Sequence, residues 1–147
     1  MAKFLKNNSH KYRKIVLEKE LVRKVFPFFK TEIRGVKLIC RGWIQTSDKS
    51  KQYRIEIEYE PWNSPVTHII EPAIEPNINA HMYPDGALCL FDWREQHWQN
   101  HWHLHETIVP WIAEWLVFYE LYSLTGIWHG NSAIHAEIKE EEPRSNN

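Results

Sequence analysis

The stretch Asn79-Ala-His-Met-Tyr-Pro-Asp-Gly-Ala-Leu-Cys-Leu90 combines turn chemistry with a lone thiol. Pro84, Asp85 and Gly86 are turn residues for three separate reasons: proline presets φ, aspartate bonds its own backbone, and glycine supplies a positive φ. Leu88 and Leu90 flank Cys89 as apolar anchors that clamp a short extended segment to a core. The thiol is thereby held on a rigid edge beside a turn. Because that turn doubles the chain back, His81, eight residues before Cys89, is expected to reach it.

Outward from this stretch the chain alternates between strong patterns and none. Residues 80–105 carry no regular periodicity, and structureless loops of about 25 residues are uncommon in compact domains unless functional. Residues 107–125 read as a helix, with Thr107 as N-cap, Pro110 in the first turn and Gly126 as stop signal. Its apolar residues cover nearly every face, which predicts a largely buried helix lying across a sheet. Upstream, Tyr53, Ile55, Ile57 and Tyr59 alternate with Arg54, Glu56 and Glu58, and residues 36–44 are rich in apolar and β-branched types. The two segments predict an antiparallel hairpin. Pro61, Pro65, Pro72 and Pro76 bracket a third strand around residues 66–70 and exclude regular structure as far as about Asn79. Residues 9–26 place Tyr12, Ile15, Val16, Val22, Val25 and Phe26 at helical spacing, with Ser9 as N-cap and Pro27 closing the pattern. The order of helix, meander, long loop and buried helix predicts an α+β fold with helices on one side of an antiparallel sheet.

The chain has 147 residues, 43% apolar and 25% charged, enough to bury the core of one domain. That domain is expected over residues 1–138, with the acidic, polar tail of residues 139–147 disordered. The apolar run of residues 115–119 is far too short to span a membrane, and the basic N-terminus has no signal-peptide hydrophobic segment. A cytoplasmic protein is expected. Cys40 and Cys89, the only cysteines, exclude a disulfide framework and a zinc ribbon. The formal net charge of −1 is unevenly spread. The first thirty residues hold nine basic and two acidic side chains, against nine basic and seventeen acidic in the rest. Lys11, Arg13, Lys14, Lys19, Arg23 and Lys24 are therefore a candidate docking face on the first helix, while the overall charge argues against nucleic-acid binding as the main activity.

The cysteine stretch resembles the active-site segment of ubiquitin-conjugating enzymes. Aligned on Cys89 without gaps, that family's glycine falls on Gly86, the aliphatic residues around its cysteine on Leu88 and Leu90, its asparagine on His81 and its histidine on Asn79. Trp98 corresponds to the family's tryptophan after the cysteine, and residues 107–125 to the helix packed beneath the site, so that the match runs over about residues 9–130. The prokaryotic branch found beside cyclic-nucleotide synthases in antiphage islands is closer still: its HxYxDGxLCL pattern reads here from His81 to Leu90, and its TGxWxG as Thr125-Gly-Ile-Trp-His-Gly130. The resemblance implies a ubiquitin-conjugating-like fold and an acyltransferase that needs no cofactor. It also implies that the C-terminus of a cyclic-nucleotide synthase is captured on Cys89 and passed to an amine acceptor. The oxyanion-steadying asparagine of the eukaryotic enzymes is absent, its position being taken by His81.

The chemistry has its own logic. A thiolate takes an acyl group from another thioester in a nearly isoenergetic exchange and keeps it activated. An amine attacking that thioester must lose a proton and builds charge on the carbonyl oxygen, and imidazole can serve either need near neutral pH. His81 is accordingly the candidate partner of Cys89, with Asp85 and Asp92 candidates for orienting the amine. Cys40, alternating with Leu38 and Gly42, reads as a core residue. The competing signal is His97, His101, His103 and His105, followed by Glu106. As a strand, the last three histidines would share a face, and as a helix His97, His101 and His105 would, either of which could offer zinc three imidazoles. No functional metal is assigned to them. Two rival readings are a non-catalytic interaction module of the same fold, from which the cysteine is typically missing, and a cysteine hydrolase that removes such conjugates, for which no local protease signature is present.

Overall fold

The computed structural model describes residues 2–91 and 97–130, with side chains in the first helix from Ser9 onward. Helix α1, Ala2–Val25, leads into four strands, β1 Lys30–Arg34, β2 Lys37–Ile44, β3 Tyr53–Tyr59 and β4 Val66–Glu71. A 3-10 turn at Ile78–Ala80 and helix α2, Ile108–Thr125, complete the regular structure. The strands form one antiparallel meander in the order β1-β2-β3-β4. The fold is α+β, as the pattern predicts, with three corrections.

Helix α1 begins seven residues before the expected cap, so Ser9 lies inside it. Residues 2–8 contain neither Pro nor Gly, and nothing there stops the helix from extending. Strand β1 was not expected, because Lys30, Glu32 and Arg34 leave only Ile33 as an apolar marker. It joins β2 through a two-residue turn whose first residue, Gly35, has φ +60, as primed hairpin turns require. Helix α2 has its expected limits and its left-handed Gly126 stop, but Thr107 makes no side-chain cap. Its hydroxyl instead donates to the His103 carbonyl. Nor is α2 buried throughout: Ile108, Val109, Ile112, Trp115 and Leu116 are in the core, while Val117, Leu121 and Leu124 face outward. The helix meets the rest of the molecule fully only over its first half.

The pleat of the meander sorts the two faces of the sheet. Leu38, Cys40 and Ile44 of β2 and Tyr53, Ile55, Ile57 and Tyr59 of β3 are buried in one cluster with Ile15 and Val22 of α1 and Ile112, Trp115 and Leu116 of α2. Both helices thus cover the same face. The other face carries cross-strand ion pairs, Arg41–Glu56 at 2.8 Å and Lys37–Glu58 at 3.5 Å. The expected tail at residues 139–147 lies outside the described residues. Among the described residues, no helix is long and apolar enough to cross a membrane.

Candidate active site

Residues 81–89 form a short hairpin. Tyr83 N–H donates to the Ala87 carbonyl, Gly86 N–H to the Tyr83 carbonyl, and Met82 pairs with Leu88 as an antiparallel bridge. Gly86 stands at φ +92, which a side chain would strain, and the Asp85 carboxylate accepts from Ala87 N–H at 2.9 Å. These are the roles the Pro-Asp-Gly triplet predicts. The hairpin is also fastened to the sheet: Leu88 N–H donates to the Thr67 carbonyl, and His68 bridges Ala87. His68 Nε2 lies 3.9 Å from an Asp85 oxygen. Met82 and Leu88 bury their side chains, at 2% and 5% exposure, and hold the segment down.

The bridge between Met82 and Leu88 sets His81 directly opposite Cys89, and Cys89 N–H donates to the His81 carbonyl at 2.9 Å. Cys89 retains 8% exposure. His81 closes the 3-10 turn in a left-handed conformation, φ 53 and ψ 52, its N–H bonded to the Ile78 carbonyl. Its own carbonyl accepts a second donor, the Trp115 indole N–H, at 3.1 Å. The imidazole stacks on Trp128, with centroids 4.6 Å apart and planes at 13°.

Two arrays of aromatic rings connect to this segment. Trp128, stacked on His81, meets Trp115, Phe118 and Tyr122 at centroid distances of 5.8, 5.8 and 6.3 Å. Tyr59, Trp98, Trp102 and Trp111 follow edge to face, and Trp111 meets Phe91, two residues beyond Cys89. The Thr125-to-Gly130 motif thus acquires a structural meaning. Gly126 turns the chain out of α2, Trp128 comes back over His81, and a Cβ on Gly130 would lie 2.7 Å from the Trp128 indole nitrogen.

The candidate residues fare unequally. Cys40 is fully buried in the sheet, where burial and then Glu18 push its thiol up to about 12. Asp92 lies outside the described residues. The histidine run is not gathered around one point: His97 and His101 are exposed, and His103 Nδ1 contacts Glu18 at 2.7 Å while its ring stacks on His105. Among the described residues no three or more His, Cys, Asp or Glu side chains converge as metal ligands. Of the basic residues on α1, Lys14 turns inward to Glu18 and the Trp102 carbonyl, and Lys11 reaches Glu60 at 3.5 Å. Arg13, Arg23 and Lys24 remain exposed and Lys19 is half-buried. The six therefore do not share one outer face.

Sequence reasoning missed Glu18. Fully buried, it accepts from Leu104 N–H at 2.7 Å and from Lys14 at 3.2 Å, and so ties α1 to the segment following the hairpin. It missed the Trp115 bond to His81 as well. A charged residue and a tryptophan within helical patterns give no sign of a particular distant partner.

No curated protein is significantly similar to the chain. The sequence model of the family described as Type II CBASS E2 protein, however, matches residues 18–136, a span that takes in the sheet, the cysteine hairpin, α2 and the Trp128 segment. With most of its length matched, the chain belongs to the Type II CBASS E2 protein family.

Proposed function

We propose that the protein is a cysteine-dependent acyl carrier in antiphage defence: Cys89 takes the C-terminal acyl group of a protein partner, a cyclic-nucleotide synthase, and passes it to an amine. The observation that carries this reading is Cys89 on a clamped hairpin directly opposite His81, within a chain of E2 family membership. In loading, the Cys89 thiol gives its proton to solvent and its sulfur bonds to the carbonyl carbon of an activated donor, a thioester or acyl phosphate anhydride, whose leaving group departs with the bonding electrons. In discharge, an amine nitrogen bonds to that carbon, the carbon–sulfur bond breaks, and the Cys89 thiolate leaves. His81 accepts the proton that the amine loses. The exposed basic side chains of α1, Arg13, Arg23 and Lys24 together with half-buried Lys19, serve as the docking surface for the partner.

The test is to supply the partner's C-terminal segment as a synthetic thioester and resolve the products on a non-reducing gel. A reducible adduct is expected on the parent and on Cys40→Ala, and none on Cys89→Ala. An adduct that survives in Cys89→Ala overturns the reading. His81→Asn, which retains a hydrogen-bond donor but no base, should load normally and discharge about 10²-fold more slowly, in line with the worth of a positioned base.

A further inference from the structure

The backbone of His81 is pinned from three directions. Its N–H is bonded to Ile78, and its carbonyl receives both Cys89 N–H and the Trp115 indole N–H. Among the described residues, the indole of Trp128 lies flat against its ring, 4.6 Å away and nearly parallel. That indole is itself confined. Trp115, Phe118 and Tyr122 surround it, and Gly130 packs so closely that a Cβ there would lie 2.7 Å from its nitrogen. The left-handed Gly126 returns the chain from α2 to bring the indole into place. The Trp128 segment thus works as a rigid wall beside one ring of the site.

We propose that Trp128 is a positioning residue for the transfer step, holding the His81 imidazole in the orientation from which it takes the proton of the amine that attacks the acyl group at Cys89. The inference rests on the proposed function and adds to it a residue 39 positions from the cysteine. The physical reason is geometric. A base free to rotate spends most of its time misaligned, and a displacement of about 1 Å can cost about 10²-fold in rate. Loading needs only the thiolate and the donor, so the two half-reactions should respond differently.

The experiment measures single-turnover loading and discharge separately, with a synthetic thioester of the partner's C-terminus as donor and free lysine as acceptor. Trp128→Ala should load within about twofold of the parent and discharge about tenfold more slowly or worse, a milder effect than full misplacement of the base. Trp128→Phe, which keeps a flat face, should recover most of the rate. The deciding measurement is made in the His81→Ala background, where removing Trp128 should slow discharge no further, because residues acting as one unit are not additive. Equal slowing with and without His81 overturns the proposal, as does unchanged discharge or a loss of loading in step with discharge. If Trp128→Ala fails to fold, Gly130→Ala displaces the indole without removing it and is judged by the same cycle. A parent that never loads Cys89 defeats the proposed function itself, whereas a parent that loads and discharges while the Trp128 variants match it defeats this inference alone.

Discussion

Cys40 and Cys89 are both buried, but Cys89 keeps 8% exposure on the hairpin whereas Cys40 has none. The Cys40 thiol is raised to about 12, and Tyr53, also raised by burial to about 12, shares its core. Groups whose native pKa exceeds the unfolded value keep their protons longer in the folded chain, so stability is intact below about pH 9 and falls as pH rises through 9 to 12. Iodoacetamide at pH 8 is expected to label Cys89 and spare Cys40, with Cys40 reacting only as the protein unfolds in alkali; peptide mapping across that range checks it. Prompt labelling of Cys40 at pH 8 would contradict its burial. The two thiols could be told apart in the sequence because Leu88 and Leu90 beside a Pro-Asp-Gly turn are a local signal, as is Cys40 in a strand alternation. Glu18 was not legible, since a glutamate in a helix otherwise rich in charge reads as solvated, and what buries it is a segment 86 residues away.

Besides the shared apolar core, helix α1 is tied to the later half of the chain through that carboxylate, which gathers Lys14, His103 and the Leu104 N–H at one point. Removing one member of a buried charge network costs about 3–5 kcal/mol, because the remaining groups stay buried without their partner. Glu18→Ala should lose stability of that order in urea unfolding, and Glu18→Gln less, since an amide oxygen still accepts from Leu104. A neutral result for alanine would mean that water reaches the network. Elements were legible in proportion to the strength of their periodicity. Strands β2 and β3 lie within one residue of their expected limits; β3 alternates cleanly, whereas β2 buries Leu38, Ile39 and Cys40 in succession and was marked by its apolar composition. Edge strand β1 keeps charges on its solvent side and so loses that signal. The outward-facing Val117, Leu121 and Leu124 of α2 show the converse, that an apolar circumference does not determine how far neighbouring elements extend along a helix.

Charge in the whole molecule is polarised, with a basic first thirty residues and an acidic remainder. Long-range attraction of this kind accelerates encounter more than it strengthens binding, and salt screens it. Reversing Arg13, Lys19 and Lys24 together should slow partner capture about tenfold at low salt and flatten its salt dependence, while leaving the melting temperature in place. Stopped-flow capture at two ionic strengths measures this, and an unchanged rate would remove α1 from the docking surface. The fold class was legible at this scale because element order alone restricts the possible layers. The placement of Trp128 over His81 was not, since it depends on how the chain returns after α2. The attachment of the cysteine hairpin to β4 also bears on solubility. A meander ends in two unpaired strand margins, each able to recruit another chain. Alternating charges guard β1, whereas at β4 the hairpin itself occupies the Thr67 carbonyl and bridges His68 through Ala87. A change that frees the hairpin would therefore do more than displace the thiol: it would bare a sticky seam along β4.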